Sequence, residues 1–264
     1  MIDQRTHGWE GWDAYASFYD WENARTFGRR DIPFWRRVIR RERGAVLELG
    51  CGTGRLLLPL SDRAGTTVGI DRSTAMLERA GARAKRLPRR YRPGLILGDV
   101  RELPFVSASL GVVLAPYGLL QSLLTARDLA RALREAARVL RPGGLLGIDL
   151  VPDLPVWAEY GRRVQLEGSR RGGGQVTLVE SVRQDRRRGL TMFDEEFVER
   201  RAGRTSRRNF TLTFRTQPLA RTLAQVERAG FEVEATCGDY SGGPWTEGSD
   251  AWLILARRTR TGSQ

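Results

Sequence analysis

The chain has 264 residues, a formal charge of +13 and 41% apolar residues, enough for one sizeable core and short for two independent domains. It holds no run of eighteen apolar residues, its two cysteines (Cys51 and Cys237) lack metal-type spacing, and residues 1–30 carry acids, tryptophans and arginines where a signal peptide has an apolar core. A membrane span, a disulfide framework, a metal site and a secretory leader are therefore not expected, and a cytoplasmic protein is.

At the start of the chain, Trp12, Tyr15 and Tyr19 are spaced as one face of a helix, with Phe18 and Trp21 beside it. Packing glue and an aromatic lid are both open readings, and residues 1–40 form the expected helical lid. His7, the only histidine, lies there and reads as an incidental surface residue before it reads as a base. Beyond it, strand-length apolar runs alternate with amphipathic helices, the mark of βαβ units and a mostly parallel sheet. Strands are expected at 45–49, 67–70, 95–98, 110–115 and 145–150. Helices are expected at 55–63, 74–86 and 126–140, the last stopped by Arg141-Pro142-Gly143-Gly144.

The alternation breaks near Val156. From 164 to 216 the pattern has period two, with Val176, Leu178 and Val182 and later Phe210, Leu212 and Phe214 alternating with polar residues. Turns are expected at Gly172-Gly173-Gly174, 186–189 and 201–203. An antiparallel β insertion at 156–217 follows, serving as acceptor cap or dimer interface. A helix at 219–229 and strands at 231–237 and 251–256 then complete seven core strands, so that the core comprises 41–155 and 218–260.

Gly50, Gly52 and Gly54 alternate where the first strand gives way to a helix, so a backbone free of β-carbons can approach a ligand near the helix's unpaired amides. Asp71 closes the second strand about twenty residues later, where a carboxylate can accept ribose hydroxyls. Asp99 closes the third. A dinucleotide fingerprint would need a glycine at Arg55, so a ligand without pyrophosphate fits better.

Four stretches carry a specific resemblance: Val46-Leu47-Glu48-Leu49-Gly50-Cys51-Gly52-Thr53-Gly54-Arg55, Gly69-Ile70-Asp71-Arg72-Ser73-Thr74-Ala75-Met76-Leu77, Gly98-Asp99-Val100-Arg101-Glu102-Leu103-Pro104 and Val139-Leu140-Arg141-Pro142-Gly143-Gly144. In this order they resemble class I S-adenosylmethionine-dependent methyltransferases of the methyltransferase domain 25/11 type. The resemblance implies an α/β Rossmann-like sheet of order 3-2-1-4-5-7-6 with the seventh strand antiparallel. It also implies a cofactor site made by Tyr19, Glu48, Gly50, Cys51, Gly52, Gly54, Asp71, Arg72, Met76, Asp99, Val100 and Pro116. In that site Glu48 helps indirectly to hold the methionine ammonium, Asp71 takes the ribose hydroxyls, Arg72 and Met76 flank the adenine, and Asp99 with the Val100 amide reads its edge. Tyr19 closes over the cofactor.

For the acceptor side the residues offer only Tyr19, Tyr117 and Gln121 as catalytic candidates. Gly111 stands where the group commonly has an aspartate. The favoured function is transfer of a methyl group to the oxygen or nitrogen of a small metabolite. An RNA methyltransferase and an S-adenosylmethionine-binding protein without activity are the alternatives, and a homodimer through the insertion is an open partner reading. Lys85 is the only lysine, so the charge is arginine scattered over the chain, which suits solvated faces more than a nucleic-acid footprint. From 160 to 217, fourteen arginines face seven acids, which suits either an anionic acceptor or a wet surface.

Overall fold

The computed structural model describes residues 11–26, 28–62, 66–152, 159–170 and 173–260; His7 and Gly172 lie outside them. Seven strands form the central sheet: β1 (Val46–Leu49), β2 (Thr67–Asp71), β3 (Gly94–Leu97), β4 (Leu110–Ala115), β5 (Leu140–Leu150), β10 (Phe231–Cys237) and β11 (Trp252–Arg258). Their order is β10-β11-β5-β4-β1-β2-β3, with β1 to β5 parallel and β11 antiparallel to both its neighbours. Counted within the core, this is the expected order 3-2-1-4-5-7-6.

Strand alternation sorts the buried side chains to two faces. Leu47, Leu49, Val113 and Ile148 pack under α5 (Ala126–Val139) and α6 (Leu219–Arg228), whereas Val46, Val112 and Leu114 pack under α2 (Ile32–Ile39) and α3 (Leu57–Leu60). Trp35 of α2, wholly buried, lies so close to Gly147 of β5 that a β-carbon there would come within 2.5 Å of its ring. The helix expected at 55–63 is only α3. Pro59 has no N–H to give the Arg55 carbonyl, and the turn of Gly50 to Gly54 delays its start. In the opposite direction, β5 begins at Leu140, earlier than expected, because Leu140 already pairs with Leu110 before a bulge restores the register at Val112 and Leu145.

Gly111 has a steric explanation. It sits at that bulge, and a β-carbon on it would lie 1.8 Å from the carbonyl oxygen of Arg43, so an aspartate has no room.

Residues 160–215 form a separate antiparallel sheet of order β6-β7-β8-β9, with β6 (Tyr160–Ser169), β7 (Gln175–Asp185), β8 (Leu190–Arg201) and β9 (Arg204–Arg215). Its period-two pattern produces one apolar face, where Leu178 pairs with Phe197, Val182 with Phe193 and Phe193 with Leu212. Helix α1 (Trp12–Asn23) packs on that face through Tyr15, Phe18 and Trp21, with Phe18 stacked on Phe197 at 4.3 Å between centroids. At its start, Asp13 accepts hydrogen bonds from the Ser73 hydroxyl and the Ala75 amide of α4 (Thr74–Ala84), so α1 bridges the insertion and the core. No described helix is long and apolar enough to cross a membrane.

Candidate active site

Parallel strands leave their carboxyl ends on one edge of the sheet, and the loops leaving β1, β2, β4 and the region after β3 meet there. They enclose a cavity of about 240 Å³. Of the residues expected around a cofactor, Tyr19, Glu48, Gly50, Cys51, Asp71, Arg72, Met76, Asp99, Val100 and Pro116 line it. Gly52 and Gly54 do not. All three glycines have positive φ, and a β-carbon at Gly50 or Gly54 would collide with Leu119 or Leu58. Backbone conformation thus requires glycine at all three positions and packing requires it also at Gly50 and Gly54, and Gly50 lines the cavity.

Asp71 ties this turn to the next one. Its carboxylate accepts the Gly52 amide at 2.7 Å and the Ser73 amide at 2.8 Å. Burial nevertheless raises its pKa above the ordinary carboxylate value, those amides opposing the shift. Asp99 differs. Arg101 grips its carboxylate from side chain and backbone, and Arg72 adds a contact at 3.2 Å. Burial would raise its pKa, but these partners hold it below the ordinary value, so Asp99 faces the cavity as one member of an ion-pair cluster.

Glu48, at the end of β1, is 3% exposed and its Oε2 has no hydrogen-bond partner. Burial pushes its pKa well up, with Arg55 opposing and Asp31 and Asp71 adding to the rise. Such an orphaned acid oxygen inside a cavity is a place for a donor that comes with a ligand.

A second cavity of about 980 Å³ adjoins the first, and Trp12, Tyr19, Tyr117 and Phe214 line both. Tyr19 and Tyr117 are kept protonated at neutral pH, the Tyr117 phenol being pushed up to about 12 by burial. They can donate a hydrogen bond and cannot serve as ready bases. Gln121 lines the larger cavity but both ends of its amide hold the Val151 backbone, at 2.8 and 2.9 Å.

Several residues here escaped the reading of the sequence. Asp31, fully buried, makes a two-point ion pair with Arg55 at 2.7 and 2.8 Å, and the same guanidinium bonds Tyr19 and lies over the Tyr117 ring. Asp149 ends β5 facing the larger cavity. Burial raises its pKa to about 7 against hydrogen bonds from the Tyr240 hydroxyl and the Tyr117 amide. Glu22, Glu180 and Glu195 line the same cavity. A signal existed for Glu195, since it stands between Phe193 and Phe197 in the period-two face.

Burial lifts the Glu195 pKa, and Glu22 and Glu180 lift it further. An acid with a raised folded-state pKa costs nothing below the pH at which the unfolded chain ionises, and the cost grows as pH rises toward the folded value. Glu195→Gln is therefore expected to stabilise the ligand-free protein by about 1–2 kcal/mol at pH 8 and by almost nothing at pH 4. Urea denaturation at the two pH values measures this; equal stability of variant and wild type at pH 8 contradicts it.

Sheet order, glycine turn and acid-ended strands together define a Rossmann-like nucleotide-cofactor fold of the class I methyltransferase kind. Residues 46–144 match the family model described as a methyltransferase domain. Cypemycin N-terminal methyltransferase from a Streptomyces species is 30% identical over 224 residues, 81% of this chain and 82% of that protein. The 27-O-demethylrifamycin SV methyltransferase of Amycolatopsis mediterranei is 38% identical over 141 residues, 52% of this chain and 48% of that protein. Four curated relatives, the rifamycin enzyme among them, are matched over only 36% to 61% of their own length. The structure of the CcbJ methyltransferase from Streptomyces caelestis superposes with a TM-score of 0.80 at 22% identity, covering 97% of this chain and 98% of that one. The chain belongs to the S-adenosylmethionine-dependent methyltransferases, and S-adenosylmethionine is its cofactor.

Proposed function

We propose that the protein transfers the methyl group of S-adenosylmethionine to the oxygen or nitrogen of a small molecule bound in the larger cavity. The observation that carries this reading is the pair of adjoining cavities, one lined by the family's cofactor residues and the other large enough for a metabolite, with an aromatic partition between them. The printed names of relatives support a small-molecule acceptor: 27-O-demethylrifamycin SV, demethylmenaquinone and the cypemycin N-terminus are the acceptors they name.

The donor set fits the cofactor. Glu48 offers its unpartnered oxygen to the methionine ammonium, a charge-assisted bond that would relieve its burial. Asp71, with acceptor capacity left beside its backbone donors, accepts the ribose hydroxyls. Met76 and Val100, both buried, flank the adenine with Arg72, and Asp99 positions Arg72 and Arg101 around it. Bound there, the sulfonium supplies an activated methyl group.

The chain's own work is alignment and exclusion of water. Tyr19 and Tyr117, fixed by Arg55, form the collar through which donor and acceptor meet. Residues 1–40 serve as lid and 156–217 as acceptor cap, joined through α1. The arginines of the insertion support the wet-face reading over an anionic acceptor: Arg162, Arg183 and Arg207 sit on exposed surface paired with Glu196 or Asp194.

Labelled methyl transfer from S-adenosylmethionine into a metabolite extract tests the reading. Label is expected in small molecules whether or not nuclease is added; label that nuclease treatment removes would turn the reading to RNA.

A further inference from the structure

The inner face of the insertion sheet is apolar at its centre, with Gln184, Thr191, Glu199 and Arg208 toward its margins, and the apolar centre is broken at one place. Leu178, Val182, Phe193, Phe197, Leu212 and Phe214 share that face, and Glu180 and Glu195 interrupt it as a directly opposed cross-strand pair. Like charges in that position destabilise a sheet. Glu22 of α1 faces them across the chamber, and Tyr15 donates its hydroxyl to Glu22 and lies beside Glu195. Glu195 is 3% exposed and its Oε2 has no partner.

What acts on these three carboxyls are phenols and one another, the Tyr160 hydroxyl serving Glu180. Beside Glu195 the other buried charged residue lining the chamber is an acid, Asp149; buried Arg55 acts on it from the collar, where Asp31 already pairs that guanidinium. Its exposed charges cancel: Arg30 and Arg37 against Asp239 and Asp250. A chamber with several desolvated acids and no buried cation is incomplete, because a buried charge is tolerated when an opposite charge and hydrogen bonds accompany it. Among the described residues no set of acids, cysteines or histidines is placed to hold a metal ion.

We propose that the cation completing this chamber is the acceptor itself, an amine bound as its ammonium by Glu195 and Glu180 of the insertion sheet and Glu22 of α1. The proposal rests on the methyltransferase reading and narrows its oxygen-or-nitrogen choice to nitrogen. An ammonium has no free lone pair, so it first gives one proton to a chamber carboxylate. The freed nitrogen pair then forms the bond to the methyl carbon, the carbon–sulfur pair stays on sulfur, and the carboxyl returns its proton to solvent. The carboxylates have a second effect. They offset the repulsion between two cations, ammonium and sulfonium, that must meet at the collar. Upward-shifted acids suit this step, since their proton affinity approaches that of the amine.

Calorimetry on the protein saturated with S-adenosylhomocysteine tests the assignment, using shape-matched probes: benzylamine against benzyl alcohol, cyclohexylamine against cyclohexanol, and glucosamine against glucose. At least one amine is expected to bind about tenfold tighter than its alcohol at pH 7.5, with the preference falling to about twofold or less in Glu195→Gln and in Glu180→Gln. Amines no better than their alcohols, whether both bind or neither does, overturn the proposal, as does a preference that both variants retain. A separate titration with S-adenosylmethionine distinguishes the two levels. A protein that takes no S-adenosylmethionine refutes the methyltransferase reading, whereas one that takes it and shows no amine preference refutes the amine assignment alone.

Discussion

Asp31→Ala is expected to destabilise the protein by about 3–5 kcal/mol, the cost of leaving a buried guanidinium without its counter-ion. Asp31 is wholly buried and Arg55 nearly so, and their two short bonds are the strongest contact between the segment before α2 and the glycine turn. Arg55 also holds Tyr19 and the Tyr117 ring, so its release loosens both tyrosines of the collar. Chemical denaturation should show the loss, and Asp31→Asn, which keeps one acceptor oxygen, should recover part of it. A variant as stable as the wild type would mean that the pair is a packing neighbour without structural weight.

Glu48→Gln is expected to move stability and cofactor affinity in opposite directions. Without ligand the substitution removes an acid whose pKa burial has raised, so the variant gains stability above the pH where the unfolded chain ionises, and the gain vanishes toward pH 4. Toward S-adenosylmethionine it loses a charge-assisted hydrogen bond to the ammonium, about 1.5–3 kcal/mol or roughly 10–150-fold in affinity. The two signs together separate this account from a merely structural role for Glu48, which predicts lower stability and unchanged affinity. Melting temperature and calorimetric titration on the same sample suffice.

The core was legible in the sequence where local pattern and tertiary role coincide. Strands at 110–115 and 231–237 are found where expected because their apolar runs are bounded by turns, and α4 begins at Thr74 because Ser73 caps it through the Met76 amide. Errors arose where a distant partner decides. β5 starts early because Leu110 is available to pair with Leu140; the late start of α3 is instead local, since Pro59 has no N–H for the Arg55 carbonyl.

The candidate site shows the same division. Asp71 and Asp99 could be placed from their strand ends and Glu48 from the family resemblance, but what each one touches depends on residues far along the chain. Arg55 seemed only a missing glycine; its meaning lies in Asp31, twenty-four positions earlier and on another element. The acid chamber required two strands of the insertion and α1 to be folded together before Glu22, Glu180 and Glu195 could be seen as neighbours. Net charge pointed the other way, since the abundant arginines lie outward. Gly52 and Gly54, expected under the ligand, both have positive φ, and Gly54 packs against Leu58.

Titration of S-adenosylmethionine into the wild-type protein and into Asp71→Ala tests the central claim most directly. The wild type is expected to bind it at a single site per chain, and Asp71→Ala to bind about 1–3 kcal/mol more weakly through lost ribose hydrogen bonds. Absence of binding by the wild type, or equal affinity in the variant, would contradict the assigned cofactor site.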